Sequence, residues 1–294
     1  MLREVLTEVF IVVVTMLAIA IPLIIGFDRI RTTWYEWRSR IRTSLPVIAL
    51  LVVVMLFNRY GRQTLTAMSR EYGVDMTTVF YELEGDFITV FQAFDYTILI
   101  QFFSFIYIYA YVFLLVFPVL AYFALSDNRP FRQLLTAYAL NYSIGVLIYF
   151  LVIAFGPRNV MPELFDTVLY DFQPRYQHLT REVNDYRNVF PSLHTSMAVT
   201  VGIFALRTRD EYPLWVPIAL FLAICVPLST MYLAIHWAID VVAGTFLAIF
   251  CVYVSAVVVE RWGLWKRSSE YLPTLAELRG WLADAWVRLR SPLR

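Results

Sequence analysis

Seven mostly apolar stretches, free of Asp, Glu, Lys and Arg except for Asp240 in the last, recur along this chain, and they constrain its fold more than any other feature. They run at about 9–27, 43–58, 96–125, 133–157, 188–206, 212–235 and 237–259. An apolar run of about 18 residues or more is long enough to cross the hydrocarbon core of a bilayer as a helix. With 60% hydrophobic and only 16% charged residues, the chain departs from a soluble domain, which is about a quarter charged. Those figures exclude a disordered chain and a soluble enzyme. The expectation is an all-α integral membrane protein with about seven transmembrane helices.

Loop charges set the orientation. Residues 28–42 carry Arg29, Arg31, Arg38, Arg40 and Arg42 and read as a cytoplasmic loop. Alternating from there, one side collects 16 of the 24 basic residues: five in that loop, two at 126–132, two at 207–211 and seven after 260. The N-terminus is then outside and the C-terminus cytoplasmic. The sizeable outer segments are 59–95 and 158–187. The first holds an acidic patch, Glu82, Glu84 and Asp86, read as a solvated or interfacial turn. In the tail, Thr274 and Glu277 have capping-box spacing, and Leu275, Leu278, Leu282, Trp286 and Leu289 follow as a helical stripe, so an amphipathic surface helix is expected. The organisation is thus an N-terminal span with its basic loop (1–42), a six-helix membrane core (43–260) and the tail (261–294). Arg-rich loops and a short chain suit a prokaryotic plasma membrane.

Other classes fall away early. Cys225 and Cys251 both lie in apolar runs, which removes a disulfide framework and a cysteine-rich metal site. A formal net charge of +1 leaves no field for nucleic acid.

Two polar clusters interrupt the apolar background. One is Phe190-Pro191-Ser192-Leu193-His194, where the fifth span begins. The other is Ser229-Thr230, His236 and Asp240, where the sixth span ends and the seventh begins. Both fall on the outer side, as does Arg158 at the end of the fourth span. Ionisable residues at membrane depth are costly and are functional candidates by default. His236 and Asp240 stand at i and i+4, hence on one helical face. A carboxylate there fixes one tautomer and leaves the other imidazole nitrogen free to attack an electrophile. His194, on a different helix, is placed to act as general acid. Ser192, Ser229, Thr230 and helix N-terminal amides near 192–194 are candidate holders of anionic oxygens, and Arg158 supplies positive charge.

These residues resemble the type-2 phosphatidic acid phosphatase superfamily, whose motifs are K-x6-R-P, P-S-G-H and S-R-x5-H-x3-D. Pro191-Ser192-Leu193-His194 corresponds to the second, with Leu193 in the glycine position. Ser229-Thr230-x5-His236-x3-Asp240 corresponds to the third, with Thr230 in the arginine position. Of the first only Arg158 remains, with Leu151 and Asn159 in the lysine and proline positions. Arg129-Pro130 also reads as an Arg-Pro pair, but it lies one span earlier and on the other side, so it is assigned to charge anchoring. The motif-bearing part is about 145–250. The resemblance implies a six-helix core formed by spans 2–7, with span 1 extra. It implies a phosphohistidine enzyme without metal or other cofactor. His236 is then the nucleophile, Asp240 its orienting acid and His194 the acid and base. Arg158, Ser192, Ser229 and Thr230 bind the phosphoryl oxygens. Losing two motif cations resembles the branch of inositol phosphorylceramide synthases, which transfer a phosphoryl headgroup to an alcohol. Arg187, seven residues before His194, is the best placed of the outer-loop arginines, with Arg175 and Arg181, to restore charge.

The implied substrate is a membrane lipid phosphate or phospholipid, and the acceptor is water or an alcohol. The alternatives are a transporter or lipid-binding scaffold that keeps the site without catalysis, and a seven-span receptor. Pro213, Pro217 and Pro227 permit broken-helix geometry of the transporter kind. A retinal photoreceptor is disfavoured because Lys266, the lone lysine, falls in the tail.

Overall fold

Every long apolar stretch folds as helix, as lipid requires of a backbone that must satisfy its own hydrogen bonds. The computed structural model describes residues 2–94, 96–161 and 189–269. Arg175, Arg181, Arg187, His178 and the expected tail helix lie outside the described residues.

The helices are α1 (Leu2–Ala20, continued by a π-turn Ile21–Ile25), α2 (Phe27–Tyr72), α3 (Thr77–Glu84), α4 (Thr89–Gln92), α5 (Thr97–Phe105), α6 (Tyr111–Phe123), α7 (Arg129–Leu151), α8 (Pro157–Val160), α9 (Leu193–Arg207), α10 (Trp215–Tyr232) and α11 (Ala238–Ser269). A π-helical stretch, Ile106–Ala110, joins α5 to α6. Two short strands, β1 (Val74–Asp75) and β2 (Val152–Ile153), pair in parallel with Val74 opposite Val152. Met1–Ser255 forms one compact unit and Ala256–Arg294 a second.

Among the described residues, six helices are long and apolar enough to cross a membrane. The chain is an all-α integral membrane protein. The fifth expected span is shorter than read: α9 begins only at Leu193 and has 15 residues, or about 22 Å at the helical rise. Residues 189–192 are non-helical, and the extended backbone of the N-cap Ser192 marks where α9 begins.

The basic stretch 28–42 is not a loop. It is the first third of α2, a single helix of 46 residues. At 1.5 Å per residue that is about 69 Å, far more than the roughly 30 Å hydrocarbon core. Arginine is a good helix former, so a run of charge need not break a helix. Arg40 shows what the charge does there. It is buried, pairs with Glu36 one turn earlier at 2.8 Å, and donates to the Phe123 carbonyl at 2.9 Å and to that of Leu125. A guanidinium thus caps the C-terminal carbonyls of α6, where the helix dipole favours a cation. The segment 59–95, read as an outer loop, likewise holds the end of α2, β1, α3 and α4.

Packing is aromatic at one end of the bundle and polar in the middle. Trp215 is fully buried, with its ring centroid 4.5 Å from that of Phe117 and 6.0 Å from that of Phe113. Buried Asn141 on α7 donates to Thr200 of α9 at 3.3 Å and accepts from Ser196, tying the two helices together. At the same end as Trp215, Arg29 pairs with Glu211 at 2.6 Å and Arg129 with Asp127 at 2.7 Å. Arg129 opens α7 and Arg158 lies beyond its last residue, so the two arginines belong to opposite ends of the bundle, as the span order predicts. Val5 of α1 clusters with Tyr232, the last residue of α10, and with Leu233 and Ile235 just after it, which puts the start of α1 at the same end as His236.

Candidate active site

The end of the bundle opposite Arg129 gathers the polar residues from four connections. Ser192 caps α9: its Oγ accepts from the Thr195 amide at 3.2 Å, satisfying one of the orphan donors of the first turn. Its own N–H donates 3.0 Å to the Asp240 carbonyl, tying the start of α9 to the start of α11. Tyr149 of α7 donates to the Pro191 carbonyl at 3.1 Å.

Leu193 in place of the motif glycine has a structural counterpart. A Cβ built on Gly145 would come within 2.6 Å of the Leu193 side chain, so the isobutyl group fills space that a bare glycine on α7 leaves open.

His194, in the first turn of α9, packs between two tyrosines. Its ring centroid lies 5.0 Å from that of Tyr107 and 4.7 Å from that of Tyr111. Both come from the π-helical stretch and the residue after it, a distortion that often re-aims side chains at functional sites. The spacing Tyr107-Ile-Tyr109-Ala-Tyr111 in the third span was the available signal, but aromatics in a membrane span give no indication of which side chain they meet.

The turn between α10 and α11 presents His236. Ala234 has a positive φ of 48°, a left-handed backbone that costs a non-glycine residue about 1 kcal/mol or more. The reversal is held by the Thr230 carbonyl, which accepts from Ile235 N at 2.9 Å and His236 N at 3.2 Å. His236 Nδ1 then lies 3.2 Å from Asp240 Oδ2, and the Trp237 amide donates to the same oxygen at 2.8 Å. An ionised Asp240 only accepts, so in that state the pairing would hold the Nδ1–H tautomer and leave the lone pair on Nε2. Burial lowers the His236 pKa to about 3; hydrogen bonding to the Val189 backbone opposes this, and the Arg158 charge adds to it. The imidazole is therefore neutral, and its contact with Asp240 is a hydrogen bond rather than an ion pair. The ring centroids of His194 and His236 are 5.9 Å apart, edge to face.

Arg158 is buried at 7% exposure, and its amide donates 3.1 Å to the Ala234 carbonyl inside the His236 turn. The Trp237 indole donates 2.8 Å to the Phe155 carbonyl, three residues before Arg158. Arg158, Ser192, His194, His236 and Asp240 thus converge. Ser229 and Thr230 are buried beside them, but their hydroxyls donate to their own helix, at Val226 and Pro227, over 2.6 and 2.8 Å. What Ser229 and Thr230 supply in this arrangement is backbone carbonyls that shape the turn. α10 runs unbroken through Pro217 and Pro227, without the interruption expected of a transporter's split helix.

One residue of the acidic patch belongs here too. Glu84 at the end of α3 is half-buried and accepts from the Ala238 amide at 2.8 Å and from that of Ile239. The solvated-turn reading holds for exposed Glu82 and Asp86 and fails for Glu84, because a folded α3 packs over the motif segments.

Comparison with known proteins bears on the family. The chain is 30% identical over 148 residues to an uncharacterized protein of Methanocaldococcus jannaschii, covering 50% of this chain and 57% of that protein's length. No solved structure is significantly similar. The family model described as the PAP2 superfamily matches residues 82–254, which runs from α3 into α11 and takes in all the converging residues. That match covers well over half of the sequence, and the chain belongs to the PAP2 superfamily.

Proposed function

We propose that this protein is a membrane enzyme that transfers phosphoryl groups of lipid phosphates or phosphodiesters through a phosphohistidine at His236. Membership of a superfamily of phosphatases and phosphotransferases supports the reaction class. The observation that carries the finer reading is the buried His236–Asp240 pair facing a second histidine, with a buried arginine beside it.

In the first half-reaction, the Nε2 lone pair of His236 attacks phosphorus and the P–O bond to the leaving group breaks. His194, which must enter this step as imidazolium, gives that oxygen a proton and becomes neutral. The imidazolium that forms at His236 is stabilised by Asp240 through Nδ1–H. In the second half, water or an alcohol attacks phosphorus, its proton passes to His194, and the P–N bond breaks to restore His236. Arg158 and the Ser192 hydroxyl, whose oxygen only accepts within the cap, balance charge on the phosphoryl oxygens.

The acceptor separates two versions. The missing motif cations and the F-P-S-L-H sequence favour transfer to an alcohol, as in the inositol phosphorylceramide synthase branch. The site, at the end of the bundle shared with the start of α1, is assigned to the outer face of a prokaryotic plasma membrane from the distribution of arginines. Phosphorus NMR of the solubilised protein with native membrane lipids, beside His236→Ala, tests the reading. Growth of one phosphodiester signal at the expense of another with wild type alone marks a headgroup transferase, and growth of free phosphate marks a phosphatase. Identical spectra for wild type and variant contradict the catalytic reading and favour the binding-only alternative.

A further inference from the structure

We propose that Glu84 is a positioning residue for the His236–Asp240 pair, acting by clamping the first turn of α11. The inference rests on the functional reading above and on four further observations.

First, the amides Glu84 receives, those of Ala238 and Ile239, open α11 and have no partner within the helix. They lie between His236 and Asp240 in sequence. A carboxylate at this pole also meets the positive end of the helix dipole. The Asp240 side chain takes the preceding amide, that of Trp237, at 2.8 Å. Two carboxylates thus share the exposed donors of one turn, and the catalytic pair is built into that turn.

Second, Glu84 reaches this turn from 154 residues away, so the contact is tertiary and not a local cap. Third, α3 is itself fastened to every motif-bearing segment. The Thr77 hydroxyl accepts from the Phe155 amide at 3.1 Å, three residues before Arg158. The Phe80 ring centroid lies 5.0 Å from that of Phe190, two residues before Ser192, and Tyr81 lies 6.4 Å from Trp237, beside His236. Fourth, Glu82 and Asp86, its neighbours in the acidic patch, are exposed, so Glu84 is set apart by its contacts rather than by composition. The helix α3 therefore acts as a plate holding three separate chain segments in register, and Glu84 is its contact with the nucleophile's helix.

The test uses full-length protein in lipid nanodiscs with 15N-labelled histidine. The sequence holds three histidines, so three imidazoles are observed, assigned by His178→Gln and His194→Gln. Wild type is expected to show His236 as a single Nδ1–H tautomer. Glu84→Ala, which removes both acceptors, is expected to show a second tautomer population, and Glu84→Gln, which keeps one acceptor, a smaller one. With vesicles of phosphatidic acid in native lipid extract, kcat is expected to fall about 10- to 100-fold for Glu84→Ala and less for Glu84→Gln, with KM moving less than about threefold. Glu82→Gln changes neither readout. A Glu84→Gln protein with wild-type imidazole signals and wild-type kcat overturns the proposal, even if its thermal midpoint is lower. If wild type turns over no phosphorus substrate, the functional reading fails, while the imidazole signals still decide whether Glu84 holds His236.

Discussion

Gly244→Ala tests how tightly the two histidine-bearing helices are pressed together. Gly244 sits one turn after Asp240 on α11. A Cβ there would come closer than 3.0 Å to the carbonyl oxygen of Ser192, inside the distance that real Cβ atoms keep, and would lie 3.2 Å from Thr195 Cβ. The atom met first is backbone, so no side chain can swing away. The start of α9 and the start of α11 must separate by about half an ångström, an overpacking that costs about 1–3 kcal/mol. The Ser192 N–H to Asp240 carbonyl bond, 3.0 Å long, is stretched by the same movement, a further loss of up to about 1 kcal/mol. Alanine returns roughly 1 kcal/mol of helix propensity. The net expectation is a destabilisation of about 1–2 kcal/mol. The effect on turnover is larger than that figure suggests, because His194 and Asp240 ride on the two parts that move. A misplacement approaching 1 Å costs on the order of 100-fold in rate, so a fall in kcat of about 10- to 100-fold is expected. Chemical denaturation of the nanodisc-embedded variant and phosphorus NMR of lipid turnover measure the two quantities. Wild-type kcat in a folded Gly244→Ala protein refutes the argument that the Ser192–Gly244 contact sets the geometry between the histidines.

Further outcomes follow from the same geometry. Asp240→Asn keeps the shape but allows the wrong tautomer at His236, and turnover is expected to drop about 1000-fold or more with little change in substrate KM, as steady-state kinetics would show. Asn141→Leu removes the polar link between α7 and α9 and strands Ser196 and Thr200; a stability loss of about 1 kcal/mol is expected from denaturant titration, the usual scale for interhelical bonds in membranes. His236 has a pKa of about 3 in the folded protein, against roughly 6.5 when unfolded. The unfolded chain therefore binds the extra proton between those values, and stability falls as pH drops through that window. The thermal midpoint is expected to decline below about pH 6.5, less so in His236→Gln, and 15N spectra should show His236 neutral at pH 5; a protonated His236 at pH 6 contradicts the burial argument.

Much of this was legible in the sequence, for identifiable reasons. Spans announce themselves because lipid tolerates so few charges, and His236 and Asp240 announced their pairing because four residues is one helical turn. The order of Arg158, His194 and His236 along alternating spans also puts them at one end of the bundle. What escaped the reading was set by tertiary contact. Charge usually ends a span, so the arginines at 28–42 suggest a loop, yet Arg40 finds the carbonyls of Phe123 and Leu125 and the helix continues. Composition does not separate Glu84 from Glu82 and Asp86, since it cannot tell which of three acids meets a helix start 154 residues later. Tyr107 and Tyr111, one helical turn apart, share a face of their helix, but a sequence holding many span aromatics does not say that this face meets His194. Ser229 and Thr230 matched a motif by position, while their hydroxyls are engaged by their own helix.

His236 is proposed as the nucleophile that carries the phosphoryl group. The most direct measurement is alkaline-quench peptide mass spectrometry of protein incubated with phosphatidic acid and native polar lipids. The prediction is a phosphorus-bearing, acid-labile adduct on the peptide containing His236, absent from His236→Ala and accumulating in His194→Ala if the second half-reaction is slowed more than the first. Sustained turnover with no adduct at His236, or with the adduct on another residue, would contradict it.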